Sequence, residues 1–386
     1  MNMKEQLRPA TRAIHSGGQV DPATGAVVPP VHFASTFRQP AAGEWGQYDY
    51  SRSGNPTRTV LQDQLSAIEG AAGTLAFSTG MAAIHAVTML LESGDHIIAG
   101  SDIYGGAYRL LHKICNRAGL SVTLVDMTDR SAIESAITPS TKLIWGETIG
   151  NPQMTVVDLA MLADVAAGRD ILTAVDNTFG TPAIVRPLEH GIDIVMHSGT
   201  KYLGGHSDCL GGTLSVSNPA LQERLYFVQN ATGAVLDPMS CFLICRGLKT
   251  LHLRMRHQSQ SAMELASRLS DHPRVTRVLY PGLDVHPGHK LAKRQFHDLY
   301  GGMVTFELDA DEATTAAVCG RTNLFTLAVS LGAVESLIEQ PATMSHASYD
   351  PADRATFGVT DGLIRISVGL EDIDDLWGDL EQAIAT

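Results

Sequence analysis

Lys201 is the residue around which chemistry can be built. It is the only Lys or Arg between Arg186 and Arg224, and it follows the apolar run DIVMHS and precedes the small, polar YLGGHSD. A lysine in that setting reads as a partly desolvated amine with a pKa lowered by burial, as a nucleophile toward carbonyl carbon requires. The ordinary alternative is a solvated surface lysine. Asp176 closes another run of neutral residues, ILTAVD. A carboxylate there can cap the following turn. Paired with Lys201, it reads better as the anion that keeps a pyridine nitrogen protonated, which makes pyridoxal phosphate an electron sink. A phosphate needs a cradle, and STGMAAIH offers one between a strand and a helix. The amides of Gly80 and Met81 then fall at a helix N-terminus, where anions are stabilised. Ser198 and Thr200 in HSGTK add two hydroxyls for the same phosphate, and YDYSRSGNPTR adds the phenol of Tyr50 and the guanidinium of Arg52. A guanidinium suits a two-point phosphate contact. Any one of these is compatible with a surface turn; their coincidence is the signal.

The elements that must position these residues alternate. Between about 57 and 215, short β-rich runs alternate with helical stretches: TLAF, HIIAG, VTLVD, KLIWGE, ILTAVD, DIVMHS and GGTLSVS. That alternation predicts an α/β domain on a mostly parallel sheet, and in such sheets the ligand crevice lies beyond the C-terminal strand ends. Both Asp176 and Lys201 follow strand ends. TRTVLQDQLSAIEG is expected to be a helix with Val60, Leu61, Leu65 and Ile68 on one face and Gly70 as its C-terminal cap; GMAAIHAVTMLLESG is expected to be a second, ended by Gly94. The first fifty residues, with PP at 29 and 30 and little periodicity, are expected to form an extended arm. After a long helical stretch around 241 to 270, the runs VTRVLY, GMVTFELD, LFTLAVSL and LIRISVGL imply an α+β second domain that closes with DIDDLWGDLEQAIAT, where Leu376, Leu380 and Ile384 face inward. The expected division is an arm over 1–56, a large cofactor-binding domain over 57–249 and a C-terminal α+β domain over 250–386.

Composition narrows the function class. A chain of 386 residues has the length of two domains, and 44% hydrophobic with 18% charged residues excludes disorder. No window is apolar enough for a membrane span. A net charge of -13 argues against nucleic acid or an anionic membrane as the partner and favours a small-molecule enzyme. The five cysteines, Cys115, Cys209, Cys241, Cys245 and Cys319, are odd in number and form no CxxC pair, so neither a disulfide framework nor a zinc module is indicated. His286 and His289, like His206 and Cys209, lack paired helical ligand spacing, and no metal is expected. The N-terminal residues lack the apolar stretch of a signal peptide, so the expected compartment is the cytoplasm.

The ordered motifs extend this reading. TRAIHSGGQVDPATGAVVPPVHFASTF, YSRSGNPTR, FSTGMAAI, YGGAYRL, ETIGNP, VDNTFGTP, HSGTKYLGGHSD, VSLGAVESLIEQPATMSH and LIRISVGLED span nearly the whole chain. In that order they resemble the PLP-dependent Cys/Met metabolism (trans-sulfuration) family, which includes cystathionine γ-lyase, cystathionine γ-synthase and methionine γ-lyase. The resemblance implies the aspartate-aminotransferase-like fold type I and a homotetramer built from two catalytic dimers with shared sites. It makes Lys201 the cofactor-bearing lysine and Asp176 the partner of the pyridine nitrogen. Gly80, Met81, Ser198 and Thr200 would hold the phosphate, and Tyr50 and Arg52 would reach the phosphate of the neighbouring subunit. Tyr104 would stack on the cofactor ring and act as an acid, and Asn151 would approach the phenolic oxygen. Arg365, helped by Ser330, would bind the substrate α-carboxylate. Arg109 stands where the cystathionine enzymes bind a distal carboxylate, and Asp49 and Ser53 also resemble the cystathionine γ-lyase pattern. Gly106 stands where methionine γ-lyases usually carry cysteine. Val329, against this, occupies a position where the cystathionine enzymes commonly carry glutamate and resembles methionine γ-lyase. The expected activity is γ-elimination of a sulfur amino acid to a thiol, ammonia and a 2-oxo acid. The alternatives are γ-replacement on an O-acylhomoserine, methionine γ-lyase activity, or an inactive homologue that serves as a binding or scaffold protein.

Overall fold

A computed structural model of the chain describes residues 7–18, 20–347 and 357–385. Residues 1–6 and Gln19 of the expected arm lie outside the described residues. Among those described, the strands in chain order are β1 (Gly73–Phe77), β2 (His96–Gly100), β3 (Ser121–Val125), β4 (Thr141–Glu147), β5 (Leu172–Asp176), β6 (Ile194–Ser198), β7 (Gly212–Val216), β8 (Val275–Leu279), β9 (Met303–Leu308), β10 (Thr326–Leu327), β11 (Leu337–Glu339) and β12 (Leu363–Ser367). The chain forms two compact units, one from the residues up to Leu91 together with Asp193–His252, the other from Glu92–Ile192 together with Leu253–Thr386.

In the first unit β7 lies between β1 and β6 and is antiparallel to both. Helix Pro56–Glu69 forms where the sequence provides both of its ends. Asn55 Oδ1 accepts the N–H of Thr57 at 2.9 Å, Pro56 needs no amide partner, and Gly70 closes the helix at φ 71, in the left-handed region. Leu61, Leu65 and Ile68 are fully buried along its inner face. The arm is not wholly extended: Pro9–His15 is a short helix with Ala13 buried. Pro9 at the first helical position sets φ for the turn without leaving an amide unsatisfied. The expected helix ending at Gly94 is shorter, spanning Gly80–Thr88. After it, the amides of Leu90 and Leu91 donate only three residues back, to Val87 and Thr88, so the α-helical ladder has ended.

The second unit holds two sheets. One has the order β5-β4-β2-β3 with every pair parallel. Its central strands β2 and β4 are almost entirely buried, as expected of strands covered on both faces. The other has the order β10-β11-β12-β9-β8 and is antiparallel except for β10 with β11. Leu265, Phe306, Ile364, Leu376 and Leu380 belong to the core beneath it. The run LFTLAVSL is not a long strand: only Thr326 and Leu327 pair, and Ser330 turns the backbone to φ 106, which an extended ladder does not accommodate. The three-residue β11, which no periodicity marks, lies between it and β12.

Candidate active site

The first unit holds a candidate anion cradle and Lys201. Thr79 caps helix Gly80–Thr88 by accepting the Ala82 N–H at 3.0 Å, and the amides of Gly80 and Met81 find no acceptor among the described residues. β6 ends on Ser198 beside them: a Cβ built on Gly80 would stand 3.3 Å from Ser198 Oγ. Two free amides at a helix start and a hydroxyl make a donor set for a phosphate dianion. Thr200 lies next along the chain, but its Oγ1 accepts the N–H of Gly211 at 3.0 Å, so part of its capacity is used in fixing the loop.

Lys201 sits in the tight turn Gly199–Leu203, where its own backbone is non-helical, φ -94 and ψ -132. The turn rests on helix Pro238–Leu248. Gly247 permits that approach, since a Cβ there would lie 2.2 Å from Gly204 O. On the strand just before, His197 and Glu69 are fully buried and hydrogen-bonded to each other, anchoring β6 to the end of helix Pro56–Glu69. Tyr50 and Arg52 keep together, with the guanidinium 5.3 Å from the ring centroid and its Nε 3.3 Å from Asn230 Oδ1.

The second unit holds a set of carboxylates and a set of guanidinium contacts. Asp176 ends β5, and its Oδ1 accepts the Thr178 N–H at 2.9 Å, so the capping role open from sequence is filled by one of its oxygens. Glu147 ends β4 directly opposite it in the parallel register. Glu147 Oε1 accepts the backbone N–H of Tyr104 at 2.6 Å. Burial, and then the charge of Asp176, push the Glu147 carboxyl well above the usual range. Tyr104 and Arg109 are exposed while residues 105–108 between them are buried, so this segment presents a phenol and a guanidinium. Arg365, on β12 and only 3% exposed, donates from Nη1 to Asn151 Oδ1 at 2.7 Å and from Nη2 to the Ser330 carbonyl at 3.1 Å, and pairs with Glu339 Oε1 at 3.0 Å. Its Nε has no hydrogen-bond partner among the described residues. Asn151, Ser330 and Arg365 are therefore brought together. The contact of Ser330 shown is through its backbone carbonyl. Val329 is 58% exposed.

Sequence reasoning missed Glu147, Glu339, Ser345 and His346. Glu147 was visible as a carboxylate ending the strand run KLIWGE, and Glu339 as a charge inside LIEQP, but nothing local said which partners they meet.

A helix-start anion cradle in one unit and a carboxylate at a parallel-strand end in the other are each of the kind that a pyridoxal-phosphate enzyme uses. Residues 10–385 match the model of the family described as Cys/Met metabolism PLP-dependent enzymes. The chain is 49% identical over 378 residues to the cystathionine gamma-lyase of Bacillus subtilis, covering 98% of this chain and 99% of the relative. It is 48% identical to the cystathionine gamma-synthase of Mycobacterium tuberculosis, over 97% of this chain and 96% of the relative. The crystal structure of cystathionine gamma-lyase from Lactobacillus plantarum complexed with L-serine superposes with a TM-score of 0.95 at 43% identity, covering 98% of this chain and 99% of that one. This chain belongs to the PLP-dependent Cys/Met metabolism family. It has fold type I, is an enzyme of the trans-sulfuration carbon–sulfur lyase group, and takes pyridoxal 5'-phosphate as its cofactor. No helix among the described residues is long and apolar enough to cross a membrane.

Proposed function

We propose that the chain catalyses γ-elimination on a sulfur amino acid of the cystathionine type, releasing a thiol, ammonia and a 2-oxo acid. The observation that carries this reading is the joint exposure of Tyr104 and Arg109 across an otherwise buried segment. It offers a proton donor and, beside it, a cation for a second carboxylate. Identity does not choose among the activities, since relatives named gamma-lyase, beta-lyase and gamma-synthase lie at 49%, 49% and 48%.

The roles follow the geometry of each set. Gly80, Met81, Ser198 and Thr200 would hold the phosphate, Lys201 would carry the cofactor, and Asp176 and Asn151 would serve its ring nitrogen and phenolic oxygen. The bound cofactor supplies an electron sink for the pair left when a proton leaves Cα. Arg365 binds the α-carboxylate, and its Nε–H, without a partner among the described residues, is a charged donor for it. The amine of Lys201 takes the α-proton; a second proton then leaves Cβ, and its electron pair displaces the γ-sulfur, to which the Tyr104 hydroxyl delivers a proton. Arg109 orients the distal end, with Val329 beside the α-carboxylate subsite. Residues 1–56 serve as an arm whose Tyr50 and Arg52 complete the phosphate site of a neighbouring subunit, so the working unit is a homo-oligomer, a dimer of dimers. Residues 57–249 act as the cofactor domain and 250–386 as the α+β domain.

The exposed, apolar Val329 favours methionine as a competing substrate. γ-Replacement on an O-acylhomoserine uses the same residues with a thiol acceptor. The deciding experiment incubates purified holoenzyme with cystathionine, methionine, homocysteine, cysteine and O-acylhomoserine, with and without added cysteine. Release of 2-oxo acid from cystathionine without a thiol supports the proposal. Strict dependence on added thiol, or preference for methionine, replaces it.

A further inference from the structure

The side chains around Arg365 form a closed circuit. Arg365 Nη1 donates to Asn151 Oδ1 at 2.7 Å, and the carbonyl of the same Asn151 lies 3.0 Å from His346 Nε2. His346 Nδ1 is 2.9 Å from Ser345 Oγ, which is 2.5 Å from Glu339 Oε1. That oxygen returns to Arg365 Nη2 at 3.0 Å. Asn151, Glu339, His346 and Arg365 are each at most 4% exposed.

Proton accounting shows that the circuit is directional. A carbonyl oxygen only accepts, so Nε2 of His346 must carry a hydrogen. Burial, and then the neighbouring Arg365 charge, hold the imidazole down to about 4, while its contacts with the Asn151 and Ile103 carbonyls oppose this. In the neutral ring Nδ1 is bare and competes with Glu339 for the single hydroxyl hydrogen of Ser345. The hydroxyl serves one of them at a time; its shorter contact, 2.5 Å, is to Glu339, which in turn holds the guanidinium, and His346 Nδ1 borders the same hydroxyl at 2.9 Å.

Taking Arg365 as the α-carboxylate site, on which this step rests, we infer that Glu339, Ser345 and His346 are positioning residues for substrate. Together with Asn151 and Ser330 they engage both terminal nitrogens of the guanidinium from within the unit and leave Nε–H as the donor without a partner among the described residues. They lock Arg365 and Asn151 to one another, so that the group binding the carboxylate and the group assigned to the cofactor oxygen keep a fixed separation. Preorganisation of this kind is read in substrate affinity.

The test compares Ser345→Ala and Ser345→Thr holoenzymes with the parent and with Arg365→Lys. Ser345→Ala is expected to raise KM for the amino-acid substrate about tenfold with kcat within about threefold, the signature of lost uniform binding. The equilibrium dissociation constant of glycine, a probe that carries the carboxylate and amine without a reacting side chain, is expected to weaken by a similar factor in calorimetry. Ser345→Thr, which keeps the hydroxyl, restores both to within about twofold. In ¹⁵N NMR the His346 Nδ1 resonance is expected to move in Ser345→Ala, as it loses its hydroxyl neighbour, and to keep its position in Ser345→Thr, with Nε2 protonated in both. If Ser345→Ala leaves KM and the glycine dissociation constant unchanged while Arg365→Lys raises both strongly, the positioning role is wrong and the carboxylate reading stands. If Arg365→Lys also changes neither, the carboxylate reading itself is overturned, and this inference falls with it.

Discussion

Glu147 and Asp176 end two adjacent parallel strands in direct register, and the charge of Asp176 raises the proton affinity of Glu147. Two carboxylates side by side and largely buried are not both ionised without cost. Here the strain is divided by role: Asp176 keeps one oxygen on the Thr178 amide, while Glu147 accepts the Tyr104 amide.

This division predicts a pH-dependent stability change on replacing Glu147. Its folded pKa lies above the unfolded value, so its contribution is present at low pH and is lost as pH rises through the folded value. Glu147→Gln imitates the protonated group and keeps an acceptor for Tyr104. The variant is expected to gain thermal midpoint relative to the parent as pH increases from 5 to 9, by several degrees at the alkaline end. A constant difference across that range would contradict the raised proton affinity.

Acid is expected to destabilise the chain through His286. Its Nδ1 accepts the Gly288 N–H at 3.1 Å, and burial pushes the ring down to about 4. Between the unfolded value and that pH, the unfolded chain binds a proton that the folded chain refuses, so stability falls as pH drops from about 6.5 to about 4. The loss attributable to this group is on the order of 2 to 3 kcal/mol. His286→Asn places an amide oxygen where Nδ1 accepts. Denaturant titrations from pH 7 to 4.5 are expected to show a shallower decline in the variant; an unchanged decline would remove His286 as a cause.

Gly80→Ala tests the phosphate cradle. An added Cβ would lie 3.2 Å from Ser198 Cβ and 3.1 Å from Met196 Cε, so Ser198 must shift by a few tenths of an ångström. The helix itself gains from alanine by up to about 1 kcal/mol. The variant is expected to fold normally and bind pyridoxal phosphate about tenfold more weakly in equilibrium dialysis. Unaltered cofactor affinity would move the phosphate away from this helix start.

Val329→Glu addresses substrate choice. A carboxylate at this exposed position is expected to raise the ratio of kcat/KM for cystathionine over methionine about tenfold by pairing with the distal amine. An unchanged ratio would remove Val329 from the specificity argument.

What the sequence made legible was whatever depended on strand ends and helix starts. Asp176 stands out because it ends an apolar run, Lys201 because it follows one, and Gly80 because it opens a helix after one. Glu339 was not legible because its meaning comes from antiparallel register with Arg365, across a β11 only three residues long. His346 reaches Asn151 from 195 positions away, a closure that no local pattern encodes. The helix starting at Gly80 was read too long for the opposite reason: MLLESG keeps an apolar pattern after the hydrogen-bond ladder has already tightened.

The central claim is that Lys201 carries the cofactor and moves the α-proton, and one variant tests it directly. Lys201→Ala is expected to lose the visible absorption of the lysine-linked cofactor, and to release 2-oxo acid from cystathionine at least about a thousandfold more slowly than the parent. Turnover of cystathionine at the parental rate, with the visible band intact, would contradict the account.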